Sequence, residues 1–254
     1  MEVTYHKDTP DIVRNAQGLQ LFTENTNNGK KVQILIEELK EAYGTECHIR
    51  LVDLEAEEQK KDWFRVLNPG GKIPTLIDDT FGAPVSVIES TAILVHLQEH
   101  HDKDNLFGFT TPAERSQMSQ WLFFWHNAAS VHGHGRFFIA SPDAPPAARD
   151  RFSDHIRRIY TVLETHLSGK HSGTPREYLA GKGAGRYSIA DIGAWAHLKA
   201  HKSLGISDEE MKSKFSSLAA WIDKISARPA VQKGIDGNKY DSSLNVGALV
   251  AAEK

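Results

Sequence analysis

Cysteine is nearly absent from this chain. Cys47 is the only one in 254 residues, which excludes an intrachain disulfide and any cysteine-rich metal site. Long apolar runs are missing too, and none approaches the roughly 20 residues a membrane-spanning helix needs. Charge of one sign is scarce. The formal net charge is -3, and basic residues cluster only as the pairs Lys30-Lys31, Lys60-Lys61 and Arg157-Arg158. That balance argues against nucleic acid or an anionic membrane as a partner. Residues 1–20 are polar and mixed, unlike a secretory leader. A chain that relies on no oxidising compartment reads as cytoplasmic. What is present is a 40% hydrophobic fraction, enough for a buried core in one large domain or two modest ones.

The pattern along the chain is uneven. Residues 1–18 have no periodicity and read as an extended arm. Leu19 to Phe22 is a short apolar strand. A helix follows, with Val32, Leu35, Ile36 and Leu39 at i, i+3, i+4 and i+7, so one buried face is expected. Gly44 stands where a left-handed cap is needed. Cys47 to Val52 is the next strand, and strand–helix–strand favours a parallel pair. Asn68-Pro69-Gly70-Gly71 is a turn. Lys72 to Asp78 and Val85 to Ile88 are two more strands, paired as a hairpin. A second helix starts at Glu89-Ser90-Thr91. After His100 the character changes. Asp102 to Thr110 is a polar linker, and Thr111-Pro112-Ala113-Glu114 is a strong helix start. Apolar positions beyond it repeat at helical spacing through Ile225, until Arg228-Pro229 stops them. The sequence therefore predicts an α/β domain over residues 19–101 and an all-α domain over residues 111–240. A tail over residues 241–254 completes the chain.

Four segments carry the candidate chemistry. Ile73-Pro74 is either a simple strand start or a cis bond that turns the Ile73 backbone toward an open site. Glu89-Ser90 lies at a helix N-terminus, which favours an anion. Ser90 alone reads as a cap, but a carboxylate beside an anion site suits an α-amino acid carrying both charges. Thr26 to Val32 joins strand to helix, where βα units place ligands, or is an ordinary capped turn. Ser188-Ile189-Ala190-Asp191 reads as a structural capping box. His132-Gly133-His134 lacks the further ligands a zinc site requires, so no metal is expected. Trp121, Phe124 and Trp125 share one early helix, where core packing is the default for aromatics.

At these residues the chain resembles the cytosolic glutathione transferases, over Leu19 to about Gly234. It is most similar to the fungal group that includes the yeast nitrogen-catabolite regulator. The family's Asn-Gly-x-Lys-Val appears as Asn28-Gly29-Lys30-Lys31-Val32. Its Asn-Pro motif with the cis-proline appears as Asn68 to Asp78, and its Glu-Ser-x-Ala-Ile-Leu as Glu89 to Leu94. Trp121 to Phe124, Ser188 to Ile192 and Arg228 to Val231 match the second domain. The resemblance implies a thioredoxin-like N-terminal domain followed by a helical bundle, with glutathione as cosubstrate. It places Asn28 at the glutathione sulfur and Ile73 on the cysteinyl backbone. Glu89 and Ser90 would hold the γ-glutamyl group, with Lys72 and Gln59 near the glycyl carboxylate. Trp121 and Trp125 would line an electrophile pocket between the domains. Two departures lie beside the thiol: Asn27 where the group often has proline, and Lys30 where an aromatic is frequent.

The activity expected is conjugation of glutathione to an electrophilic small molecule, in detoxification or secondary metabolism. The rival is a glutathione-fold regulator acting through a protein partner. The short mixed arm speaks against it, because the yeast regulator carries a long Asn/Gln-rich segment. A homodimer is implied by the resemblance. Disulfide-reductase chemistry is expected to be absent or slow, because no cysteine lies in residues 23–32 and Cys47 falls on a strand.

Overall fold

The computed structural model describes residues 2–252. Its contacts divide the chain into two units. One comprises the residues up to His101 together with those from Pro229 onward, and the other is Asp102–Arg228.

In chain order the elements of the first unit begin with α1 (Asp11–Arg14), β1 (Leu19–Thr23), α2 (Asn27–Tyr43) and β2 (Cys47–Leu51). Then come α3 (Asp62–Arg65), β3 (Thr75–Asp78), β4 (Val85–Val87) and α4 (Ser90–His101). The second unit holds α5 (Pro112–Ala140), α6 (Pro146–Leu167), α7 (Ile189–Leu198), α8 (Asp208–Lys214) and α9 (Ser216–Ser226). The chain then returns to the first unit with α10 (Pro229–Gly234) and α11 (Val246–Ala252).

The sheet order is β2-β1-β3-β4. β1 and β2 are parallel, as a helical crossover requires, while β3 runs antiparallel to both β1 and β4. This mixed sheet with α2 and α4 is the thioredoxin-like arrangement expected. Gly44 ends α2 at φ +72°, in the left-handed region where glycine carries no Cβ penalty.

Several differences from the sequence reading share one cause. The helical pattern of α2 marks one apolar face, yet Lys31, Gln33, Ile34 and Glu38 are buried as well. α10 covers the other side. A Cβ on Gly234 would lie 2.8 Å from Ile34 Cα, so only glycine lets the two helices approach this closely. Lys239 pairs with Glu37 on the same side of α2. Residues 229–240, read as part of the helical domain, thus pack on the first unit. The segment read as a tail does the same. Asn245 bridges to Leu51 at the edge of the sheet. Val246 enters a core cluster with Val13, Phe22, Val52, Trp63, Phe64, Leu67 and Ile77. Covering β2 in this way also blunts an exposed sheet edge. The arm over residues 1–18 is likewise structured. Glu2 bridges to Val85, and α1 buries Val13 completely.

The second unit is all helical. Its core joins Trp125, His132, Tyr160, His197 and Phe215, with the His132 ring stacked 5.7 Å from Tyr160. Burial lowers His132 to about 4, so it is neutral at pH 7. Asp191 is the hub of this unit. Its carboxylate accepts from the backbone N–H of Ser188 and Leu179 and from Trp221 Nε1, at 2.9–3.0 Å. The capping box is therefore present, and it also pins α9 and the Leu179 loop. No helix among the described residues is long and apolar enough to cross a membrane.

Candidate functional site

The residues expected to contact glutathione all lie in the first unit, on three loops at helix or strand starts and one neighbouring 3-10 turn. The first loop leaves β1. Thr26 caps α2 by accepting from Gly29 N at 3.0 Å. A Cβ on Gly29 would lie 2.3 Å from Thr23 Oγ1 and 2.5 Å from Glu24 O, so glycine alone lets α2 begin this close to β1. Thr23 is fully buried, and its hydroxyl donates to Glu24 O at 3.4 Å. The Thr23 hydroxyl is thus engaged, whereas Thr26, which only accepts here, keeps its O–H to donate. Asn28 sits half-buried in the first turn of α2.

The second loop is built on Asn68. Its buried amide donates to Lys72 O at 2.9 Å and to Thr75 Oγ1 at 3.0 Å, while its Oδ1 accepts from Gly70 N at 2.9 Å. Thr75 Oγ1 in turn donates to Lys72 O at 3.0 Å. Every polar group of this side chain is engaged, so the loop is held rigidly. It presents Lys72, which is exposed, and Ile73, whose bond to Pro74 is cis. The β1–β3 ladder begins only at Thr75, so the Ile73 backbone lies outside it. Gln59 belongs to a neighbouring 3-10 turn whose carbonyl lies 2.8 Å from where a Gly71 Cβ would sit. Gln59 and Lys72 therefore stand on adjacent loops.

The third loop begins α4. Glu89 is exposed and adopts φ +66°, a conformation that disfavours any side chain. A non-glycine residue there costs on the order of 1–3 kcal/mol, and such outliers collect at ligand sites. Its carbonyl still accepts from Ile93 N, so the helix proper starts at Ser90. Ser90 Oγ donates to Asn28 Oδ1 at 3.3 Å. The first and third loops thus meet through these two side chains. Because Asn28 accepts at its oxygen, its NH₂ remains the donor end of the amide.

Two residues that the sequence reading left without a role join the site. Asn68 is one, seen in the sequence only as a turn former. Lys31 is the other. Its side chain is almost fully buried, and its Nζ lies 3.4 Å from Thr91 Oγ1 at the start of α4. Burial lowers its pKa from 10.5 to about 8, against the opposing pull of the Glu89 charge. In the sequence Lys31 stood out only as the lysine of the Asn-Gly-x-Lys-Val motif, beside the apolar face of α2 and with no role assigned. Burial also lowers the neighbouring Lys30.

The other residues named from the sequence lie on other elements. Trp125 is buried in the second unit against His132 and His197, and so has a packing role there. Trp121 is half-buried, with its ring 4.3 Å from that of His166. His132 is buried in the core of the second unit while His134 is exposed. Cys47 is half-buried on β2, and desolvation pushes its thiol up to about 12.

Comparison with known proteins agrees with this fold. Residues 28–100 match the model of the glutathione S-transferase N-terminal domain, and residues 131–234 match that of the C-terminal domain. The disulfide-bond oxidoreductase YghU of Escherichia coli is 30% identical, over 89% of this chain and 77% of that protein. The structure of Ure2p in complex with glutathione superposes with a TM-score of 0.77 at 28% identity, over 87% of this chain and 95% of that one. A glutathione transferase homologue from Lodderomyces elongisporus, solved with two glutathione molecules per subunit, has a TM-score of 0.75 at 30% identity. That match covers 87% of this chain and 98% of the other. With both domain models matched and the thioredoxin-like sheet followed by its helical unit, the chain belongs to the glutathione transferase family, in the Ure2-like group.

Proposed function

We propose that this chain binds glutathione in the first unit and uses its sulfur, as the thiolate, to attack an electrophilic small molecule. The contact that carries this reading is Ser90 to Asn28 at 3.3 Å, which unites two helix starts. The γ-glutamyl amine pairs with the exposed Glu89 carboxylate. The γ-glutamyl carboxylate meets Ser90 and the N-terminus of α4, where free N–H groups and the helix dipole favour an anion. The buried Lys31 charge lies behind that end of α4 and adds to the same field. Ile73 pairs with the cysteinyl backbone, and Lys72 and Gln59 receive the glycyl carboxylate. The sulfur accepts a hydrogen bond from the Asn28 amide. An amide cannot take the thiol proton, so that proton leaves to solvent and Asn28 stabilises the anion left behind. The thiolate then forms a sulfur–carbon bond with the electrophile. Trp121 is the residue assigned to the electrophile's side.

A second reading is favoured by the name of the Escherichia coli relative, a disulfide-bond oxidoreductase. It runs against the expectation that such chemistry is absent or slow. Here the electrophile is a disulfide. One glutathione thiolate attacks a sulfur and expels a thiolate, and a second glutathione resolves the mixed disulfide to glutathione disulfide. This route needs no protein thiol, which suits a chain whose single cysteine is held protonated.

The ultraviolet absorbance of bound thiolate, titrated in wild type, Asn28→Ala and Thr26→Val, tests the reading. A hydrogen bond to a charged group is worth roughly 1.5–3 kcal/mol. At 1.36 kcal/mol per unit, losing Asn28 should therefore raise the thiol pKa by about one to two units. An unchanged value in Asn28→Ala with a raised one in Thr26→Val would move the role to the hydroxyl. A panel of carbon electrophiles, hydroperoxides and mixed disulfides then separates the two reactions. Turnover of none of them, with capture of a protein partner, would favour a regulator. We also propose a homodimer. Its support is that α5 exposes Phe123 at 72% and Phe137 at 75%, about four turns apart on one side of the helix. Sedimentation at the monomer mass of 28.3 kDa would refute it.

A further inference from the structure

We propose that Asp78, His96 and His101 form a binding site for a divalent transition-metal ion of the zinc type, separate from the glutathione site. Asp78 ends β3 and is fully buried. Its Oδ2 meets His96 Nε2 at 2.8 Å and His101 Nε2 at 2.6 Å, both from the second half of α4. The three donor atoms lie within 4.8 Å of one another. Two imidazole nitrogens and one carboxylate oxygen are a donor set that suits zinc, with a fourth position left for water.

The surroundings are built as a metal site's support would be. The second carboxylate oxygen, Oδ1, accepts from Thr80 N at 3.0 Å and from Thr80 Oγ1 at 2.6 Å. That fixes the carboxylate so that Oδ2 faces the rings, the orienting task outer partners perform for ligating groups. Phe81 and His100 pack edge-on, with the Phe81 ring 5.8 Å from His96 and 5.0 Å from His100. Both ligand rings keep 13% of their side-chain surface, so an ion has a path in from solvent. Zinc bonds of about 2.0–2.2 Å place tetrahedral ligands roughly 3.3 Å apart. The His96 and His101 rings therefore need to withdraw from Oδ2 by about 0.5 and about 0.7 Å, shifts within the reach of small side-chain rotations. At 1.5 Å per residue, Ser90 and His101 stand roughly 16 Å apart along α4. Ion binding is thus independent of the glutathione reading. The ion would tie the end of β3 to the end of the helix whose start carries Glu89 and Ser90.

The test uses the full chain, stripped with a chelator and titrated with zinc chloride by calorimetry. Co²⁺ is added in parallel, because its visible spectrum reports tetrahedral nitrogen and oxygen ligands without any variant. One equivalent should bind, raise the melting temperature and give a tetrahedral Co²⁺ spectrum. His96→Gln and His101→Gln should each weaken binding at least tenfold, and His134→Gln, at an exposed histidine, should leave it unchanged. The proposal is overturned by absence of a tetrahedral Co²⁺ spectrum, or by equal zinc affinity in wild type and His96→Gln/His101→Gln. Should that double variant fail to fold, the single variants and the Co²⁺ spectrum decide.

Discussion

Replacing Lys31 with methionine should make the protein more stable and bind glutathione less well. The ammonium is buried, and its pKa falls from 10.5 to about 8 chiefly through desolvation, with Glu89 pulling the other way. At 1.36 kcal/mol per unit, that depression corresponds to about 3 kcal/mol of destabilisation of the charged form. The sign follows from proton counts. Between pH 8 and 10.5 the unfolded chain still holds this proton and the folded chain has lost it. Stability contributed by this group therefore rises with pH across that window, and the full penalty applies below it. Methionine fills nearly the same volume without the charge, so Lys31→Met should gain about 1–3 kcal/mol at pH 7, after allowing for the lost Thr91 contact. Urea unfolding of both proteins at pH 7, 8.5 and 10 isolates the effect, because other titrating groups cancel in the difference. The advantage of the variant should shrink steadily toward pH 10. Calorimetric titration with glutathione at pH 7 should show roughly tenfold weaker binding, the loss of one favourable charge behind the anion. A constant stability difference across pH would refute the buried-charge argument. Unchanged affinity would remove Lys31 from the site.

Other perturbations separate binding from folding. Ser90→Ala removes the donor to Asn28 and one partner of the γ-glutamyl carboxylate, a loss of roughly 1–3 kcal/mol. Calorimetry should show it as about tenfold or greater weakening with a nearly constant melting temperature, whereas a lower melting temperature at constant affinity would make Ser90 only a cap. Asp191→Ala orphans the N–H groups of Leu179, Ser188 and Trp221 in the second unit. It should destabilise by about 3–5 kcal/mol in denaturant, well above the loss of a single cap, and a loss below 1 kcal/mol would contradict its role as a hub. Cys47→Ala should leave every glutathione-dependent rate intact, because a thiol pushed up to about 12 is almost never a thiolate at pH 7. A large drop in mixed-disulfide turnover would show that the cysteine acts.

Much of the first unit was legible in the sequence because its signals are local. Helical spacing located α2 and Gly44 marked its end, and in the second unit Ser188 with Asp191 likewise announced α7. The expected site residues Asn28, Ile73, Glu89 and Ser90 sit on short motifs at element starts, where a few neighbouring residues set the backbone. What the pattern could not carry was any contact between distant parts of the chain. Periodicity shows that a helix has an apolar face, and it says nothing about a second partner on the opposite side. The pairing of Lys239 with Glu37 spans 202 residues, and the packing of α10 that accompanies it reassigns the last part of the chain to the first unit. The burial of Lys31 likewise arises from tertiary packing rather than from its neighbours in sequence. Asp78, His96 and His101 gave no metal pattern in the sequence. They meet only because β3 pairs in the middle of the sheet and α4 folds back along it, so that a strand end and a helix end arrive at one point.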